Sequence, residues 1–218
     1  MNLFDTIRRS LLSVFTSLPL ILIIVDGILA AGLGNGGIAW ILAGQIILFA
    51  IVSLLRIVTS AFDLGNVPYS DAEVLIPITG VSTINILPSI WVVQVSYFFA
   101  YLGLNSFHIH KADPVDPGPQ YEVKVNNRKS RTMMIMIASA FFLSLLLLAR
   151  IWVNGNTVYV VVSAALGILA AWAWNVVGKE PKINVGNMDI FGISQQMMII
   201  PNTDEKTVAT LCQTANLR

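Results

Sequence analysis

The chain reads as an all-α integral membrane protein with about five transmembrane helices, including two tight helical hairpins, plus a polar loop and a short C-terminal tail. Three observations predict that class. Of its 218 residues, 56% are hydrophobic and only 11% charged, less than half the roughly 25% charge of an ordinary soluble domain. The mean hydropathy is +0.74. Apolar residues come in runs of about twenty, the length that crosses roughly 30 Å of hydrocarbon as a helix. Stretches such as Phe141–Leu148 also lack the in-out alternation of a barrel strand.

The predicted spans are 11–33, 38–58, 87–104, 133–153 and 158–177. Arg8 and Arg9 ahead of the first apolar run suggest a cleaved leader, but the run resumes after Asp26 and passes into a second one, so the segment reads as a retained span. Gly34-Asn35-Gly36-Gly37 joins the first two spans and Asn154-Gly155-Asn156-Thr157 the last two. Both links are turn chemistry, which makes each pair an antiparallel hairpin. The third span stands alone between two long connections. Residues 59–86 carry Asp63, Asp71 and Glu73 and neither Lys nor Arg. Residues 105–132 hold Pro114, Pro117 and Pro119 and a basic cluster ending at Arg131, which predicts an extended loop.

Residues 1–177 thus form the bundle and 178–218 an extramembrane tail. The tail's apolar run, with Ile190, Phe191, Met197 and Met198, is too short to span and too apolar to sit in water, which makes these residues partner-contact candidates. With five crossings, Lys111, Lys124, Arg128, Lys129, Arg131, Lys179 and Lys182 face the cytoplasm and the N-terminus lies opposite. Arg8 and Arg9 then stand on the wrong side. Four crossings, with one of the first three segments folded within the membrane, would gather the basic residues together, and that alternative stays open.

Few residue patterns suggest chemistry. A net charge of +1, from 13 Lys and Arg against 12 Asp and Glu, argues against a nucleic-acid partner. The lone Cys212 excludes an internal disulfide and a multi-cysteine metal site. Gly32–Gly37 follows a membrane helix rather than a strand, so it is a turn and not a nucleotide loop. His108 and His110, in an extended segment, would point to opposite faces. No catalytic, cofactor-binding or metal-ligating set is expected.

Asp26 is the sharpest polar residue. A carboxylate in a span costs roughly 2.5–3.5 kcal/mol on insertion scales and defaults to an ion or proton site. The turn near residue 35 places it level with Gln45, so an interhelical hydrogen bond is the favoured reading and a carrier or channel using Asp26 and Gln45 the alternative. Arg56 lies about 11 residues further along the second span, roughly 16 Å away, and is expected to snorkel to the interface. Gly27 and Ala31 in the first span, and Ser163, Gly167 and Ala171 in the fifth, repeat every four residues as close helix-packing faces do.

Several blocks resemble a family of multi-span virion membrane proteins of giant viruses, the nucleocytoplasmic large DNA viruses. They are Val67-Pro68-Tyr69-Ser70-Asp71 with Ile76-Pro77, Leu87-Pro88-Ser89-Ile90-Trp91, Phe98-Phe99-Ala100-Tyr101-Leu102 with Asn105, Asn126–Arg131, Ala173-Trp174 and Asp189-Ile190-Phe191-Gly192-Ile193. Asn187-Met188 stand where the family's pattern has a basic residue. The resemblance implies a structural, non-enzymatic component of the virion inner membrane, carried in host-derived membrane during assembly. Its implied partners are the lipid bilayer and capsid or minor capsid proteins, with a homo-oligomer left open. It supplies no catalytic residue.

Overall fold

The computed structural model describes residues 3–33, 35–61, 66–67, 85–86, 88–111, 121–154, 157–179 and 190. Five helices account for nearly all of them: α1 (Leu3–Leu33), α2 (Gly36–Ala61), α3 (Ile90–Lys111), α4 (Tyr121–Asn154) and α5 (Thr157–Gly178). Strand β1 (Asn66–Val67) pairs antiparallel with β2 (Asn85–Ile86), setting Asn66 opposite Ile86 and Val67 opposite Asn85. The chain is an all-α, multi-pass membrane protein. Among the described residues, α2, α3, α4 and α5 are long and apolar enough to cross a bilayer, while α1 carries the shorter apolar stretch Ser17–Leu33.

Both hairpins form, and Asn35 shows how the first one turns. Its side-chain Oδ1 accepts from the Gly37 amide at 2.9 Å and its carbonyl from Ala39 at 3.1 Å. It therefore caps α2 within a residue or two of the end of α1. The loop expected over 105–132 is a correction. Helix α3 runs on to Lys111 and α4 starts at Tyr121, so 105–111 and 121–132 are helical, and the proline-bearing 112–120 lie outside the described residues. The polar residues on either side stay helical because they find partners across helices: His110 Nδ1 meets Thr132 Oγ1 at 3.0 Å. The two histidines accordingly sit on a helix rather than in an extended segment.

Helix α3, the isolated third span, is the axis of the bundle. It packs along both α4 and α5 and also touches α1 and α2. Its N-terminus is capped by Ser89, whose carbonyl accepts from Val93 at 3.0 Å and whose own amide donates to Ser163 Oγ on α5 at 2.9 Å. On α5, Ser163, Gly167 and Ala171 are all buried. A Cβ on Gly167 would lie 2.4 Å from the Val93 carbonyl oxygen, so only glycine permits this approach of α5 to the α3 backbone.

The first-span pair behaves differently. Ala31 is exposed and makes no packing face, and a Cβ on Gly27 would meet Leu42 at an ordinary 3.9 Å. The close approach near this hairpin is at Gly44 of α2 instead, against which the Tyr97 hydroxyl and the Trp174 ring lie.

Pro19 sits inside α1. Having no N–H, it leaves the Phe15 carbonyl without its helical donor. The Trp91 indole donates to that carbonyl at 2.8 Å, and the two rings lie 4.7 Å apart. At the opposite end, Trp174 Nε1 donates to the Trp40 carbonyl at 2.9 Å, with the rings stacked at 4.5 Å. Trp152 and Trp172 are exposed, as belt aromatics are.

The chain beyond α5 returns to the bundle at Ile190, which is buried among Ile38, Ile41 and their neighbours, with its carbonyl accepting from Asn35 Nδ2 at 3.2 Å. Ile190, one of the partner-contact candidates, is packed within the bundle itself. Phe191, Met197 and Met198 lie outside the described residues.

Two outcomes follow. Gly167→Ala should cost about 1–3 kcal/mol of stability in detergent, because the Val93 backbone cannot yield, whereas Gly32→Ala, with nothing within 4 Å, should be neutral. Membrane-impermeant maleimide should label Lys111→Cys and Lys129→Cys from one face of the bilayer and Thr157→Cys from the other, in a Cys212→Ser background.

Candidate functional site

Inside this apolar shell runs a file of polar side chains, most of them on α3. Gln94, Tyr97, Tyr101, Asn105 and His108 recur at intervals of three or four residues and so share one face. Gln94, Tyr97, Tyr101 and Asn105 are each 1% exposed. Around its inner end stand Asp26 of α1, 6% exposed, and Gln45 of α2, 1% exposed. Asp26 and Gln45 are joined by a side-chain hydrogen bond. Gln94 Nε2 donates to the Gln45 carbonyl at 3.0 Å, which ties α3 to the first hairpin at the depth of Asp26.

The outer end of the file is built with α5. Asn175, 2% exposed, lies beside both Tyr101 and His108, and its Nδ2 has no hydrogen-bond partner. Lys179 Nζ contacts His108 Nε2, and partial burial pushes the lysine below its ordinary pKa. The centroids of the Tyr97 and Tyr101 rings are 6.0 Å apart, linking the two halves. Polar groups thus extend from mid-helix α1 to the bundle end that carries the α1–α2 turn, the C-termini of α3 and α5, and Ile190. The opposite end is closed by the apolar cluster of Trp91, Val92, Val95, Tyr159, Val160 and Ala164.

Arg56 stands apart from this file, half-buried and a turn and a half before the end of α2, where its carbonyl accepts from Thr59 at 3.1 Å. The burial of two other arginines was not expected from the sequence. Arg150 is fully buried with its guanidinium 5.3 Å from the Trp91 ring centroid, a cation–π contact at the closed end. Its only sequence signal is its isolation in the apolar run of the fourth span. Arg128, counted above among the cytoplasm-facing basic residues, is 2% exposed beside the α3–α4 contact, and its carbonyl accepts from Thr132. Among the described residues no group of three His, Cys, Asp or Glu side chains converges.

The file's outer half makes a specific demand on stability. Tyr101→Phe and Asn175→Leu should each destabilise the bundle, and a double-mutant cycle should show them coupled by about 0.6–2 kcal/mol, the range for polar interactions between membrane helices. Unfolding in detergent, followed by circular dichroism, measures this. Compared with known proteins, the chain matches no family model, no curated protein and no solved structure.

Proposed function

We propose that the chain is a structural multi-pass protein of the lipid membrane beneath the capsid of a large DNA virus, where it contacts a capsid or minor capsid protein. The observation that carries this reading is the presentation of one block of the resemblance. Asn126, Asn127, Lys129, Ser130 and Arg131 are exposed on the first turns of α4, while Arg128 and Thr132 between them are buried against the bundle. Helix α4 has 34 residues, about 51 Å at 1.5 Å per residue, and its apolar run starts only at Met133. The block therefore projects beyond a hydrocarbon core of roughly 30 Å as a rigid, basic surface. Other blocks of the resemblance, at Trp91, Tyr101 and Trp174, serve packing of the bundle, which suits a scaffold.

Mass spectrometry of purified particles, combined with cross-linking, tests the proposal. The protein should be present at high copy with cross-links from Lys129 to a capsid protein. The double substitution Lys129→Ala/Arg131→Ala should insert normally yet be incorporated several-fold less. A chain missing from purified particles would refute the assignment.

A further inference from the structure

Three side chains from three different helices each end in a buried oxygen that has no hydrogen-bond partner: Asp26 Oδ2, Gln45 Oε1 and Gln94 Oε1. They belong to one linked group, through the Asp26–Gln45 hydrogen bond and the 3.0 Å bond from Gln94 Nε2 to the Gln45 carbonyl. The orientation of the Gln94 amide is fixed by that bond, since rotating it would set its oxygen against a carbonyl oxygen. The same holds for Gln45 against the carboxylate. Each amide therefore spends its donor and leaves its acceptor over. A buried polar atom without a partner is destabilising, and three acceptors cannot satisfy one another.

Candidates for the missing partner differ in how many oxygens they serve. A proton on Asp26 can be shared with one neighbouring acceptor, and a water molecule can donate to two. A metal cation satisfies three or more at once, and buried charges in proteins are paired or coordinate metals. The donor set is all oxygen, which suits a hard ion. One carboxylate within a span is neutralised by a single positive charge, whereas a divalent ion would leave net charge in hydrocarbon. The Tyr97 hydroxyl, also buried without a partner and within electrostatic reach of Asp26, supplies a fourth oxygen.

We propose that Asp26, Gln45 and Gln94 hold one alkali-metal cation through the carboxylate and the two amide oxygens, with the Tyr97 hydroxyl beside it. The file through Tyr101, Asn175 and His108 connects the site to the bundle end at Lys179. The site is independent of the capsid-associated role and stands or falls separately from it.

The full chain in detergent, unfolded thermally in NaCl and in choline chloride of equal ionic strength, provides the test. A tenfold rise in NaCl across the binding range should raise the midpoint by about 2–4 °C relative to choline. Asp26→Asn and Gln94→Met should each lose that increment. Gln94→Met keeps the Asp26–Gln45 bond and so reads the site even if Asp26→Asn does not fold. Equal midpoints in the two salts, an increment that survives Gln94→Met, or a midpoint that responds to pH alone would each overturn the proposal.

Discussion

Keeping the polar side chains of α3 away from lipid is the constraint that the other helices answer. Gln94, Ser96, Asn105 and Ser106 are at most 1% exposed on a helix that is the least apolar of the four spans. In hydrocarbon each would lack a partner at a cost of several kcal/mol. Covering them requires neighbours on every side, and those neighbours must come close. Gly167 lets α5 lie against the α3 backbone, and Gly44 leaves room for the Tyr97 hydroxyl. The lipid-facing surface then falls to the outer helices, where Ile28, Leu54, Phe141 and Leu169 are exposed.

Apolar packing alone would not fix the register of such a bundle, since lipid tails compete equally well for the same surfaces. Directional bonds from side chains to backbone carbonyls of other helices do fix it. Trp91 bonds to Phe15, Gln94 to Gln45 and Trp174 to Trp40, joining α3 to α1, α3 to α2 and α5 to α2. Each uses an acceptor that already belongs to a helix, so no extra polar group is buried on the receiving side.

Much of the scaffold was legible in the sequence because membrane spans and turns are written in composition. Runs of about twenty apolar residues give the helices, and Asn35 and the Asn154–Thr157 link give the hairpins. Counting from the first turn places Asp26 beside Gln45, and the four-residue spacing of Ser163, Gly167 and Ala171 picks out a face that is buried. The same spacing at Gly27 and Ala31 misleads, because small residues also occur where a helix meets lipid.

What could not be read depends on partners from several helices at once. Proline and polar composition spread the loop over 105–132, although the prolines themselves span only 114–119. The helical ends on either side persist because His110 meets Thr132 and His108 meets Asn175. Arg150 is tolerated inside the fourth span by the face of Trp91, 59 positions earlier in the numbering. Neither Tyr97 nor Asn175 stands out until the helices are assembled.

The bond between Trp91 and the Phe15 carbonyl also has a bearing on biogenesis. Its partners are 76 residues apart, so α1 is made and threaded into the membrane well before α3 exists. Until α3 is made, the carbonyl opened by Pro19 lacks the indole donor that it has in the folded bundle. Full satisfaction of the α1 backbone therefore depends on a side chain of the third helix, and the first span is complete only within the assembled bundle.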